Sequence, residues 1–185
     1  EGVLANLIDV PEDLQTAIEM SLGMALQNIV TETEQDAKKL VEHLRKNNIG
    51  RASFLPITSI KGKKIDNIKG NKSGIIGVAS DLVRYESTYD NIIKNQLGTT
   101  IVVSDIDSAN KVARKINYRY KIVTLEGELL HQGGSLTGGN TKATTNLIAQ
   151  KHDLEDNLKY LENLQIKRSE IEEAINKNDD LYKMV

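Results

Sequence analysis

The chain has 185 residues, of which 39% are hydrophobic and 27% charged, with a formal net charge of −2; this suits one compact body with a solvated appendage and gives no global pull toward nucleic acid or an anionic membrane. The absence of cysteine excludes disulfides, thiolate catalysis and Cys-based metal sites. One Phe, six Tyr and no Trp leave little material for a base-stacking platform.

In chain order, Pro11 suits the first turn of a helix, and Glu12 and Asp13 suit the positive end of its dipole. Ala17, Ile18, Met20, Leu22 and Ala25 follow as apolar positions, with Gly23 inside the run. Asn28-Ile29-Val30 reads as a strand. Thr31 or Thr33 is placed to cap a second helix, which carries Ala37, Leu40, Val41 and Leu44 at helical spacing and closes at Asn47, Asn48 and Gly50. Ala52 to Ile57 predicts a strand leading into a basic stretch, where five lysines face one acid, Asp66, between Lys61 and Lys72. Ile75 to Ala79 predicts a short strand, Tyr89 to Leu97 a helix, and β-branched Thr99 to Val103 a further strand. Asp105 or Asp107 opens a helix with Ala109, Val112, Ala113 and Ile116 on one side. Tyr120 to Leu125 and Leu129-Leu130 are two more strands around Glu126-Gly127. The fold class is mixed α/β.

After Gly139 the character changes, and from Thr144 onward there is neither Gly nor Pro. A seven-residue register puts Leu147, Leu154, Leu161, Ile175 and Tyr182 at one seam position, with Arg168 as a polar exception. Leu164, Ile171 and Val185 fall at the complementary position, which Gln150, Asn157 and Asn178 interrupt. This pattern in a charged background predicts a coiled-coil strand. The tail has six Lys/Arg against nine Asp/Glu, so the negative charge of the chain lies there. The sequence is therefore divided into a globular domain, residues 1–143, and the start of a coiled-coil arm, residues 144–185.

Between the two lies Gly133-Gly134-Ser135-Leu136-Thr137-Gly138-Gly139. Four glycines in seven residues lose much entropy on ordering, and they make sense where another backbone approaches closely or a positive φ is needed. A phosphate-binding loop is one alternative: Gly134 to Gly139 has the Walker A spacing, but Asn140 stands where Lys is required. A nucleotide-binding regulatory domain built on this loop is thus the rival reading, and a plain flexible connector is the bland one.

The run Gly133 to Gly139 resembles the G-G-S-x-T-G-G signature of the hinge domain of SMC (structural maintenance of chromosomes) proteins. Ala17-Ile18-Glu19 through Leu22-Gly23 with Leu26, then Gly50-Arg51-Ala52-Ser53-Phe54-Leu55-Pro56, are similar to further hinge motifs. Gly77-Val78-Ala79 with Asp81-Leu82-Val83, Leu97-Gly98 before Val102-Val103, and Val123-Thr124-Leu125 with Gly127 follow in the family's order. The resemblance implies a two-part hinge that forms a homodimer through two equivalent interfaces, where strand edges of one protomer join the sheet of the other. The glycine run, Gly133, Gly134, Ser135, Leu136, Thr137, Gly138 and Gly139, is expected at that contact. It also implies an antiparallel coiled-coil strand from the same full-length chain as partner of the tail, and a cytoplasmic, nucleoid-associated protein of the prokaryotic branch. ATP and Mg²⁺ are expected only at a head domain outside this sequence, so no cofactor is expected here.

No catalytic constellation stands out. His43, His131 and His152 lack metal-ligand partners at helical or short-loop spacing, and Ser135 has no nucleophile elbow around it. No apolar run reaches the roughly 18–20 residues of a membrane span, and with neither Met nor a signal peptide at Glu1 the sequence is expected to be part of a longer intracellular chain. Two basic clusters remain: Lys61, Lys63, Lys64, Lys69 and Lys72, and Lys111, Arg114, Lys115, Arg119 and Lys121. Such clusters bind phosphates without sequence preference by releasing counterions. The resemblance implies weak DNA binding near the coiled-coil junction, which here offers Lys142 and Lys151.

Overall fold

The computed structural model describes residues 2–66, 74–139 and 147–183, the last seven of these for their backbone alone. It contains two compact units, Glu1–Leu147 and Ile148–Val185. The division falls a few residues beyond the boundary drawn from composition.

The first unit holds two sheets. Strand β1 (Gly2–Val3) and helix α1 (Leu4–Leu7) open the chain, followed by a 3-10 turn at Glu12–Leu14 and helix α2 (Gln15–Leu22). Strand β2 (Ile29–Thr31), helix α3 (Glu34–Asn47) and strand β3 (Phe54–Pro56) then form a parallel crossover unit. β1 adds antiparallel to β2, giving the order β1-β2-β3. The ends of α3 are fixed locally. Thr33 is its N-cap, accepting the Asp36 N–H at 3.2 Å, and Asn48 ends it in the left-handed region at φ 51°.

The second sheet is built from β4 (Ile75–Val78), β5 (Thr100–Val103), β6 (Lys121–Thr124), β7 (Leu129–Leu130) and β8 (Leu136–Thr137), in that spatial order. Helix α4 (Asp90–Leu97) precedes β5, and helix α5 (Ile106–Lys115) makes the crossover between the parallel pair β5 and β6. All other pairings in this sheet are antiparallel. Every residue of β5 is buried, as a central strand covered on both faces requires. Ile101, Val103 and Ile122 meet Ala109, Val112 and Ala113 of α5 in one core, to which Val78, Leu130 and Ile65 also belong. Full burial of each such large side chain contributes ~1.5–3 kcal/mol. Asp105 caps α5 by accepting the Ser108 N–H at 2.8 Å.

Two features tie the sheets together. α2, from the first half, packs on β6 and α4 of the second, and Asp9 pairs with Arg84 through reciprocal backbone bonds of 2.8 Å. The basic stretch after β3 is seated on α4. Lys61 O accepts from the Asn95 side chain, the Gly62 N–H donates to Asn91, Lys64 forms a 2.7 Å ion pair with Asp81, and the Ile65 N–H donates to Gly98 O.

In the second unit, helix α6 (Leu147–Lys183) runs without interruption, ~55 Å at 1.5 Å per residue. Of the predicted apolar seam residues with described side chains, Leu154, Leu161, Leu164, Ile171 and Ile175 are exposed, whereas Leu147, at the start of the helix, is half-buried. Tyr182, Asn178 and Val185 lie outside the described side chains. No helix among the described residues is long and apolar enough to cross a membrane.

Glu19 of α2 is the one buried charged residue among the described residues, at 6% exposure, and its Oε1 accepts the Leu147 N–H at 2.5 Å. Burial raises its pKa, which the backbone N–H only partly opposes. A raised folded-state value means this group's contribution is present in acid and is lost as pH rises through that value. Glu19→Gln keeps the acceptor and removes the charge. Its Tm should exceed that of the native chain by about 2 °C at pH 8 and equal it near pH 4. A lower Tm at pH 8 would mean that the N–H bond outweighs burial.

Candidate functional site

The glycine run forms the last hairpin of the second sheet. β7 ends at Leu130, residues 131–135 make the turn, and β8 returns antiparallel, with Leu130 opposite Leu136 and Leu129 opposite Thr137. The turn is closed by His131 N–H to Ser135 O at 2.8 Å and Gly134 N–H to His131 O at 3.0 Å. Across β8 the His131 Nε2 lies 3.1 Å from Thr137 Oγ1. Gly133 and Gly134 adopt φ values of 83° and 98°, a region in which a side chain is strained.

β8 is the edge of its sheet, so among the described residues one side of its backbone is unpaired. Leu136 is 55% exposed. Among the described residues a Cβ at Gly133 or Gly139 would meet nothing within 4 Å, and at Gly138 it would come 3.2 Å from Glu128 Cγ. The run therefore presents bare backbone and one exposed leucine to the outside. That is the chemistry of strand addition. A phosphate loop instead passes from a strand straight into a helix N-terminus, whereas here Leu136 and Thr137 are themselves a strand.

The other sheet also has open edges, at β1 and β3. An open groove of about 510 Å³ runs beside β1 and β2, with Val3, Ile29 and Thr31 on the sheet side and Leu40 of α3 across from them. Although α3 has apolar residues at helical spacing, none of its side chains is buried.

The basic candidates separate. Lys111, Arg114, Lys115 and Arg119 are all exposed along α5 and the turn beyond it. Lys121 instead lies on β6 with its Nζ donating to Ser21 O at 3.0 Å, and burial lowers its pKa; it stands apart from the outward group. Lys61, Lys63 and Lys64 are exposed, with Lys64 engaged by Asp81. Lys151 forms an i,i+4 pair with Glu155 at 3.9 Å. Lys69, Lys72 and Lys142 lie outside the described residues. Among the described residues no group of three or more His, Asp or Glu is arranged to hold a metal.

One neighbour of the run was not legible in advance. Asn117 and Tyr118, just past α5, both have positive φ, 52° and 53°. Tyr118 O accepts the Gly133 N–H at 3.1 Å, and its ring lies against Gly134.

Residues 1–113 match the family described as SMC proteins Flexible Hinge Domain. The chain is 37% identical over 179 residues to the chromosome partition protein Smc of Bacillus subtilis, an alignment covering 94% of this chain and 15% of that protein. The chain thus spans a small part of the relative's length, but the alignment leaves too few residues outside it to omit the glycine run. Among solved structures, an asymmetric dimer of the Geobacillus stearothermophilus SMC hinge domain matches with TM-score 0.79 and 36% identity, covering 94% of this chain and 71% of that one. The Pyrococcus furiosus Smc hinge domain with an extended coiled coil matches with TM-score 0.65 and 34% identity, covering 88% and 59%.

Proposed function

The chain belongs to the SMC hinge family, and from that membership we propose that it is a homodimerisation module joining two coiled-coil arms of a chromosome condensation and segregation complex. The observation that carries this reading is the unpaired β8 edge, flanked by glycines and carrying exposed Leu136. In a two-fold dimer this edge meets an open edge of the partner's three-stranded sheet, and symmetry repeats the contact, closing a ring through two equal interfaces. The Geobacillus stearothermophilus hinge is an asymmetric dimer, which supports dimerisation itself and not the equality of the two interfaces. The exposed apolar seam of α6 supports an antiparallel coiled-coil strand as its cover. The chain's part is structural; ATP and Mg²⁺ would act at a head domain of the longer protein, in the cytoplasm at the nucleoid.

Sedimentation across concentration, with residues 148–185 present and absent, tests this. A dimer is expected in both cases, because the interface is assigned to the first unit. A dimer lost with the tail would make the coiled coil the only joint, and a monomer at every concentration would overturn the proposal.

Weak, sequence-independent DNA contact is assigned to Lys111, Arg114 and Lys115, exposed at i, i+3 and i+4 along α5, and to exposed Arg119 in the turn beyond it. Its signature is affinity for a random duplex that falls steeply with salt.

A further inference from the structure

Helix α5 ends in two consecutive residues in the left-handed region, Asn117 and Tyr118. Asn tolerates that region and Gly is usual where a helix terminates in it, whereas a bulky aromatic there is strained. Such strain persists where the surroundings over-determine it, and it collects at functional positions. Here the surroundings are the glycine turn. Tyr118 is held by its N–H on Ala113 O at 2.9 Å and by its carbonyl receiving the Gly133 N–H at 3.1 Å. Its ring occupies the space a Gly134 side chain would need, since a Cβ there would lie 3.3 Å from Tyr118 Cδ1. The next residue is tied to the same turn, with Gln132 Nε2 donating to Arg119 O at 2.9 Å.

The strain does not serve burial, because the tyrosine stays 36% exposed. It turns an aromatic ring out of the helix end and rests it on the hairpin that leads into β8. Aromatic residues with a polar tip are concentrated at the centres of protein interfaces, where a ring already fixed on one side adds contact area with little further loss of freedom. We propose that Tyr118 is a contact residue for a second copy of this chain, an anchor set beside the β8 edge and held in place by Gly133 and Gly134. This rests on the dimer reading above. A base-stacking role beside Arg114, Lys115 and Arg119 is the competing use. The backbone bond and ring contact to the glycine turn favour the second copy, because they couple the ring to the edge strand and not to the basic face of α5.

The test compares Tyr118→Gly and Tyr118→Phe with the native 185-residue chain, reading the dimer dissociation constant by sedimentation and the Tm extrapolated to high dilution. Tyr118→Gly removes the strain and the ring together, so the dilute Tm is expected to hold or rise while the dissociation constant increases at least 10-fold. Tyr118→Phe is expected to stay within a few-fold of native. An unchanged dissociation constant in Tyr118→Gly overturns the proposal. So does a weaker dimer accompanied by a lower dilute Tm, which would make the ring a support for the fold alone. Loss of single-stranded oligonucleotide binding with dimerisation intact would assign the ring to nucleic acid and also overturn it. If the native chain is itself monomeric, the dimer reading has failed first, and the two failures are told apart by that control.

Discussion

Gly98→Ala is expected to destabilise the first unit by ~3–5 kcal/mol, lowering Tm by roughly 10 °C. The backbone conformation is not the reason. Gly98 has φ −68° and ψ −13°, which alanine adopts readily. The obstacle is the segment lying on it. A Cβ at Gly98 would run into the carbonyl oxygens of Lys63 and Lys94, well inside contact distance. Both are main-chain atoms, so no rotamer change relieves the clash. The Ile65 N–H bond to Gly98 O, 2.9 Å, would open with it, and Ile65, which is buried in the core of the second sheet, would be pulled toward solvent. Overpacking alone typically costs ~1–3 kcal/mol, and lost burial of one isoleucine adds ~1.5–3 kcal/mol. Urea unfolding of the variant measures the sum. Lys63→Ala is the control: its side chain is exposed, and a change within about 0.5 kcal/mol is expected. If Gly98→Ala costs less than the control, the basic stretch is not seated on α4 as described.

That seating also marks where sequence reading stops. The two helix starts are legible to within a pair of residues, Thr31 or Thr33 and Asp105 or Asp107, because a hydroxyl or carboxylate three residues before a suitable N–H is a local device; Thr33 and Asp105 are the ones that accept the bond. β2, β5 and β6 are legible because each contains a contiguous run of β-branched residues, and the strand is buried throughout in β5 and nearly so in β2 and β6. By contrast, Ile65 sits among lysines and gives no periodic signal; its burial comes from Gly62 and Gly98 allowing close approach to α4. Lys121 was grouped with four exposed cations because charge runs are read along the chain. α2, from a hundred residues earlier, lands on β6 and takes the ammonium through Ser21 O. The strand β8 was hidden inside the glycine run, since two residues that both stay exposed show no alternation. Asn117 carries a hint of a left-handed helix end, but nothing in the sequence announces that Tyr118 shares that conformation.

The dimer contact itself is best tested where association and folding separate. Replacing all four glycines would mix the two, because Gly133, Gly134 and Gly139 have positive φ and any side chain there strains the backbone. Leu136 and Gly138 are cleaner. Leu136 is 55% exposed on the β8 edge, so Leu136→Glu removes little of the packing within the first unit. It places a charge where edge-to-edge pairing would desolvate it. Gly138 lies outside the positive-φ region, and Gly138→Leu needs only a small shift of the Glu128 side chain, 3.2 Å from the new Cβ. The double variant Leu136→Glu/Gly138→Leu is expected to raise the dimer dissociation constant at least ~100-fold, about 2.7 kcal/mol. The Tm of the dissociated chain should move by no more than a few degrees. A double variant that sediments as the native dimer would remove β8 from the interface and leave the groove beside β1 and β2, with the uncovered face of α3, as the surface to examine. A variant that both dissociates and unfolds would instead show that the Glu128 side chain, whose Oε2 accepts from the Thr124 hydroxyl of β6, cannot yield, and Leu136→Glu alone would then decide the assignment.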